Sequence, residues 1–361
     1  MGQPVIIAVT DMHTAGEPVR IVERGYPELR GATILEKRRD ALTHHDALRT
    51  MLMLEPRGHD GMYGVIPTAP CAPDADLAAL FTHQDGYSTM CGHATIAIGR
   101  WAVDSGRVAL HDGRASFNLE APCGVIRVEV EQDGAGAPRV AFESVESFAH
   151  AIDVDVATPH HGSVRLDIAF GGAFYAILPA SRIGLSLLES PLADLVAAGV
   201  EVTDAARAAV AITHPSEPDL GFLYGTILTD DVDLGAHGGA ASSNLCIFAE
   251  GQIDRSPTGS GVTARIALAA ARGTMTPGQS CEIRGVSGEG FIGTLASVRP
   301  GPHGPVSRAR VEGRAYYSGR SELIAEPGDR FAHGFTCRAG SWTRCPASAS
   351  RAASAKRVRR C

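Results

Sequence analysis

Two eight-residue stretches of this chain hold the residue types needed to move a proton on a small anion. The first is Met90-Cys91-Gly92-His93-Ala94-Thr95-Ile96-Ala97. The second is Pro257-Thr258-Gly259-Ser260-Gly261-Val262-Thr263-Ala264. Aligned as copies, they set Cys91 over Thr258, Gly92 over Gly259 and His93 over Ser260. Each offers a nucleophile type, a glycine and a small or polar residue ahead of a helix-forming run. That pattern puts a side chain and several unpaired backbone N–H groups at a helix N-terminus, where anions bind well. If both copies face one pocket, a small anionic substrate fits between them. One wall then holds a proton-transfer thiol and the other a hydroxyl too weak to replace it.

Each of these residues also has an ordinary reading. A lone cysteine is usually a small buried apolar residue. For Cys91 the context favours chemistry, because a thiol at a helix start ionises more readily. Taken alone, His93 is a satisfied structural histidine; beside Cys91 it could donate a hydrogen bond or orient a substrate amine. The N–H groups of Gly259, Ser260 and Gly261 suit a carboxylate. Asp254 could pair with a substrate ammonium or simply order its turn, and Arg255 could brace the same loop. Gly259-Ser260-Gly261-Val262-Thr263-Ala264 fits a dinucleotide pattern only loosely, since Asp-Arg-Ser-Pro precedes it instead of a buried strand. Metal binding is poorly supported. His13-Thr14-Ala15-Gly16-Glu17 lacks a second histidine, and His44-His45 and His160-His161 are adjacent pairs whose rings diverge on regular elements.

The elements that must position these groups are short. Strand-like runs are expected at Val5–Thr10, Val19–Val22, Gly64–Ile66, Gly124–Val130, Val140–Ser144, Val164–Phe170, Ala173–Leu178, Phe222–Leu228 and Leu245–Ala249. Alternation in several of them predicts antiparallel or mixed sheet. Helices are expected over Thr95–Val103 and over Val262–Arg272, the latter stopped by Gly273. Both are nearly free of charge, which predicts burial on all sides. A further helix is expected within Leu185–Ala198, restarted at Pro191 with Ser190 as cap. Asp204–Ile212 adds an alanine-rich stretch.

With 361 residues, 44% hydrophobic and 20% charged, the chain is globular and long enough for two domains. The polar stretch 144–158 is the candidate boundary. The expected division is 1–150, completed by about 320–337, then 151–319, then a basic, disordered tail over 338–361. Seven of the 33 Lys/Arg lie in that tail without an acid. The remaining 26 face 40 acidic residues, so the body is acidic and unsuited to nucleic acid. Eight cysteines without CxxC spacing fit reduced thiols and a cytoplasmic location. No run approaches a membrane span.

Four ordered motifs then resemble the proline racemase family: Asp11-Met12-His13-Thr14-Ala15-Gly16-Glu17-Pro18, Met90-Cys91-Gly92-His93, Phe170-Gly171-Gly172-Ala173-Phe174-Tyr175-Ala176 and Asp254-Arg255-Ser256-Pro257. The resemblance covers about Asp11 to Glu326. Racemases and epimerases of that family carry cysteine in both motifs. Thr258 in the second resembles the trans-3-hydroxy-L-proline dehydratase branch. The resemblance implies an α/β (α+β) fold of two similar domains, each a curled mixed sheet around a central helix, as in diaminopimelate epimerase. It implies Cys91 as base and Thr258 opposite it. Gly92, His93, Gly259 and Ser260 would contact substrate, Asp254 would lie near its nitrogen, and Phe248 would form a pocket wall. No cofactor and no metal are implied. The partner expected is a small imino acid, with neither nucleic acid nor membrane, and a homodimer is the assembly left open.

One thiol then suggests elimination. Inversion needs an acid of near-neutral pKa on the second face, which an aliphatic hydroxyl is not. In trans-3-hydroxy-L-proline the α-hydrogen and β-hydroxyl share a ring face. Cys91 alone could take the one and protonate the other, giving Δ1-pyrroline-2-carboxylate. The alternatives are a proline racemase or hydroxyproline 2-epimerase tolerating Thr258, and a non-catalytic amino-acid-binding protein.

Overall fold

The computed structural model describes residues 3–235, 241–302 and 304–336. The expected tail over 338–361 lies outside these residues. The chain begins with the antiparallel strands β1 (Val5–Thr14) and β2 (Glu17–Arg24). Ala15 and Gly16 between them both take positive φ, which matches the twist of a tight hairpin. Next come α1 (Ile34–His44), α2 (Asp46–Met53), β3 (Tyr63–Thr68), β4 (Leu77–His83), β5 (Gly86–Ser88), α3 (Gly92–Asp104), β6 (Arg114–Ala121), β7 (Gly124–Glu131) and β8 (Arg139–Glu143). Pairing runs β1–β2–β3–β4–β6–β7–β8, with β2–β3 and β4–β6 parallel.

A second set follows: β9 (Ser147–Thr158), β10 (Gly162–Phe170), β11 (Phe174–Pro179), α4 (Leu192–Ala209), β12 (Leu223–Thr229), β13 (Ser242–Phe248), β14 (Gln252–Asp254), α5 (Gly259–Arg272), β15 (Ser280–Arg284) and β16 (Gly290–Gly301). Here the order is β9–β10–β11–β12–β13–β15–β16, with β11–β12 and β13–β15 parallel. Strand β17 (Gly304–Gly313) pairs with β16 and β9, closing this set into a barrel, and it also pairs with β8. The chain continues through Arg314 into β18 (Ala315–Ala325), which lies antiparallel to β1 and completes the first set. The fold is thus mixed α/β and dominated by sheet. Among the described residues no helix is long and apolar enough to cross a membrane.

The charge-poor helices are buried, as their composition predicts. Helix α3 is buried continuously from Gly92 to Gly99 and packs on β1, β2, β7, β8 and β18. Helix α5 is buried from Gly259 to Ala269 and packs on β9, β10, β11, β16 and β17. It ends as expected at Gly273, in the left-handed conformation, whose N–H reaches Ala269 and Ala270 O. One ion inside it needs an explanation. Arg265 is buried, and its guanidinium donates to Asn244 Oδ1 at 2.8 Å and to the Ser243 and Val232 carbonyls. Burial draws its pKa down to about 10, so it stays charged, held by those oxygens and by nearby Asp230.

Each of the nine expected strand runs coincides with a strand, and Ser144, Ala173, Phe222 and Ala249 lie one residue outside theirs. The polar stretch proposed as a boundary contains β9, an irregular strand whose many exposed residues conceal the pattern. Helix α4 also differs from expectation. Leu187 and Leu188 precede it, Leu188 is exposed, and the helix runs unbroken into the alanine-rich stretch as far as Ala209. Pro191 holds the cap position. Ser190 is no cap, because its hydroxyl accepts the Ser186 N–H within the preceding turn. Gly199 does not interrupt the helix. A Cβ there would meet Ile247 Cδ1 at 2.7 Å, so the glycine lets α4 settle on β13.

The starts of α3 and α5 meet back to back. A Cβ on Gly92 would lie 2.4 Å from Gly259 Cα, and one on Gly259 would lie 2.6 Å from Gly92 Cα. Both obstacles are backbone, which cannot turn aside. The double glycine of the third motif packs beside this junction. A Cβ on Gly171 would strike Ser260 O at 2.1 Å, and one on Gly172 would strike Met90. Gly259→Ala should therefore force the helix starts apart and cost about 1–3 kcal/mol or more. Thermal unfolding measures this, and an unchanged melting temperature would mean the contact is loose.

Candidate active site

Cys91 caps α3. Its backbone is extended, its Sγ accepts the Ala94 N–H at 3.4 Å, and its carbonyl accepts from Thr95 N and Oγ1. His93 follows in the first turn, with Nδ1 at 3.2 Å and Nε2 at 3.6 Å from the Cys91 sulfur. Thr14 Oγ1 donates to the His93 carbonyl at 2.9 Å, tying the hairpin to this turn. Across the junction, Asp254 Oδ2 stands 3.8 Å from His93 Nδ1. Sulfur, imidazole and carboxylate thus form one buried chain drawn from both sets of strands.

The second copy is built as a stack of turns. Ser256 N–H donates to Asp254 Oδ1 at 2.8 Å, Thr258 N–H donates to Ser256 Oγ at 3.1 Å, and Asn244 Nδ2 donates to Pro257 O at 2.8 Å. The stack holds Thr258 at φ 62°, an uncommon conformation for a β-branched residue. Such strain costs on the order of 1–3 kcal/mol and clusters at functional sites. Thr258 Oγ1 is buried with no hydrogen-bond partner. It nonetheless lies close enough to help hold the Asp254 carboxylate ionised. Gly259, Ser260 and Gly261 open α5, where N–H groups have no intrahelical acceptor. The Ser260 hydroxyl shares a 2.7 Å hydrogen bond with Tyr175 OH.

A small cavity of about 20 Å³ lies between these elements. Cys91, Gly92, His93, Phe248, Asp254, Thr258 and Ser260 all line it. Gly259 is the one expected site residue that does not; its Cα is occupied by the contact with Gly92. Phe248 is both wall and core, stacked on Tyr224 at 5.3 Å. Larger surface hollows exist, such as one around Arg127, Glu129, Arg139 and Arg310, but they gather surface ion pairs without a nucleophile.

Five further wall residues bear on the chemistry: Glu17, Tyr63, Tyr175, Tyr224 and Cys246. Glu17 is legible in the sequence as a member of the Asp11–Pro18 motif, but with no role attached to it. Cys246 brings a second sulfur to the cavity, paired across the strands with Asp254. Burial first, then the Asp254 carboxylate, push its pKa well up, so it remains a neutral thiol. Burial opposes charge on His93 too, but Cys91 and Asp254 outweigh it and raise its pKa well above the ordinary value. Burial likewise opposes charge on Asp254, yet His93, the Ser256 N–H and Thr258 hold it below the usual carboxylate range. Arg255 braces the loop as read: its N–H and guanidinium meet Glu17 Oε2 at 2.7 and 3.3 Å, and the guanidinium also donates to Gly61 O.

Burial and the neighbouring Asp254 raise the Glu17 pKa from 4.5 to about 8, against the pull of His93 and Arg255. Between those values the folded protein keeps a proton that the unfolded chain has lost. The stability this provides is full below the unfolded value and is lost as pH rises through about 8. Glu17→Gln stays neutral throughout. From about pH 6 to 9, wild-type stability should fall relative to the variant by on the order of a few kcal/mol. Melting curves across that range test this; parallel losses would mean that Glu17 is already ionised at neutral pH.

Comparison with known proteins adds an independent line. The family profile described as "Proline racemase" matches residues 9–336. A trans-L-3-hydroxyproline dehydratase of Mus musculus is 46% identical over 335 residues, 91% of this chain and 94% of its own length. The crystal structure of a probable proline racemase from Agrobacterium radiobacter K84 with bound carbonate superposes with a TM-score of 0.84 at 29% identity, covering 91% of this chain and 96% of the other. A hydroxyproline epimerase from Agrobacterium vitis, with bound trans-4-hydroxy-L-proline, gives 0.84 at 25% identity, covering 92% and 96%.

Proposed function

Because this chain belongs to the proline racemase family, we propose that it is a trans-3-hydroxy-L-proline dehydratase in which Cys91 removes the α-proton. The observation that carries this reading is the unequal pair of helix caps. The Cys91 sulfur, beside an imidazole, caps α3 by accepting the Ala94 N–H, whereas Thr258 stands at the start of α5 with a hydroxyl that makes no capping hydrogen bond. The name of the mouse relative agrees with it.

The substrate carboxylate would bind the free N–H groups at the start of α5, where the helix dipole favours anions. Its ring ammonium would pair with ionised Asp254. So held, the α-carbon lies between the caps, with its hydrogen toward Cys91. Proton removal builds negative charge beside fixed donors, which stabilise it without reorganising. Return of a proton to the opposite face would need an acid there. Thr258 is far too weak, and Cys246, though a thiol, is held at a raised pKa. Loss of the 3-hydroxyl is then the open exit, and the resulting enamine tautomerises to Δ1-pyrroline-2-carboxylate. The same reading divides the chain on the plan of diaminopimelate epimerase. Residues 1–150, with about 320–337, would form one half and 151–319 the other, with substrate between them.

Separate incubation with trans-3-hydroxy-L-proline and with L-proline tests the function. A cyclic imine trapped by o-aminobenzaldehyde is expected only from the first. Inversion of L-proline with solvent deuterium at Cα, and no imine from either, would instead make it a racemase. Cys91→Ser should lower dehydration by about 100-fold or more, and near-normal turnover would remove the thiol from its role as base. Thr258→Cys should confer inversion of L-proline with solvent deuterium at Cα, measured by chiral chromatography with mass spectrometry in D2O. No inversion would mean that residue 258 alone does not select the reaction.

A further inference from the structure

We propose that Tyr63 protonates the departing 3-hydroxyl, leaving Cys91 to handle the α-hydrogen. This rests on the dehydratase reading above. It revises the simpler expectation that one thiol performs both steps.

The stereochemistry of the substrate limits where the acid can be. The α-hydrogen and 3-hydroxyl share one ring face, so the proton donor must stand on the Cys91 wall. From the first set of strands, that cavity wall offers Glu17, Tyr63 and His93 besides Cys91 itself. Glu17 is engaged by the Arg255 N–H and guanidinium. Both ring nitrogens of His93 face the sulfur, and Nδ1 also faces Asp254. Tyr63 is the one neutral hydroxyl among the three. It is buried, its ring packs edge-on against His93 at 4.8 Å, and it lines the cavity together with Cys91. Ser88 Oγ is hydrogen-bonded to the phenol oxygen. Oriented as donor, that hydroxyl supports negative charge on the phenol as it gives up its proton.

The step balances. The Cys91 thiolate takes the α-proton as the C3–O bond breaks, and the C–H electron pair becomes the new C=C bond. The departing oxygen leaves with the bond pair and receives the Tyr63 proton, forming water and phenolate. The Cys91 thiol then returns its proton to Tyr63 across the cavity that both line, restoring both groups. Burial and the adjacent sulfur make Tyr63 a weaker acid than free phenol, so it gives its proton only to a strong base. A departing hydroxide is such a base.

Tyr63→Phe tests the assignment, with trans-3-fluoro-L-proline as the second probe because fluoride leaves with far less need of a proton. Imine formation from the hydroxy substrate should fall by on the order of 100-fold or more. Fluoride release from the analogue should stay within a few-fold of wild type, measured with a fluoride electrode. In D2O the variant should exchange the α-hydrogen of recovered hydroxy substrate faster than it dehydrates it. Equal losses for both leaving groups would reduce Tyr63 to a positioning residue and overturn the assignment, as would dehydration close to wild type. A wild-type enzyme inert toward both compounds would overturn the dehydratase reading itself.

Discussion

Two helix starts in contact through their glycines are the constraint on which the rest of this molecule depends. Gly92 and Gly259 leave no room for a Cβ on either side. That contact fixes the spacing of Cys91 and Thr258, each one residue earlier in its helix. It also brings both helix starts to one small cavity, which Gly92 and Ser260 line. The surrounding sheets serve this arrangement. They bury α3 and α5 on nearly all sides, and the Gly171-Gly172 turn presses on Ser260 and Met90 from beside the junction. Outer helices α1, α2 and α4 cover the strands with separate apolar clusters, so the core around the site needs no support from solvent-facing residues.

Charge in the cavity is set by burial acting against neighbours, and the outcome differs from group to group. Asp254 stays ionised because His93, a backbone N–H and a hydroxyl surround it. Glu17, equally buried and near the same Asp254, holds its proton to about pH 8. Cys246 stays neutral for the same reason as Glu17. Two sulfurs therefore line one cavity, but only Cys91 has an imidazole in hydrogen-bond range. The two sulfurs thus differ in their partners as well as in their place in the fold.

Much of this was legible in local sequence. The paired motifs gave both helix starts, and lack of charge gave the burial of α3 and α5. Alternation gave the strands that carry a clean inward face. What stayed hidden depends on long-range pairing. Strand β9 is irregular and largely only half-buried, so it reads as linker. Tyr63 and Glu17 reach the cavity from the first residues of β3 and β2, and no spacing links those positions to Cys91. The double glycine of the third motif could be recognised, but its purpose could not, since the backbone it accommodates lies about 90 residues further along.

Strand β17 belongs to both strand systems, pairing with β8 on one side and with β9 and β16 on the other, before its continuation β18 closes on β1. The repeat seen in the motifs therefore did not leave two self-sufficient modules. Severed between β8 and β9, neither fragment could keep this ribbon without robbing the other, and the loser would present a raw hydrogen-bonding margin ready to aggregate. The architecture is a doublet with a common spine: it must be inherited, and assembled, whole.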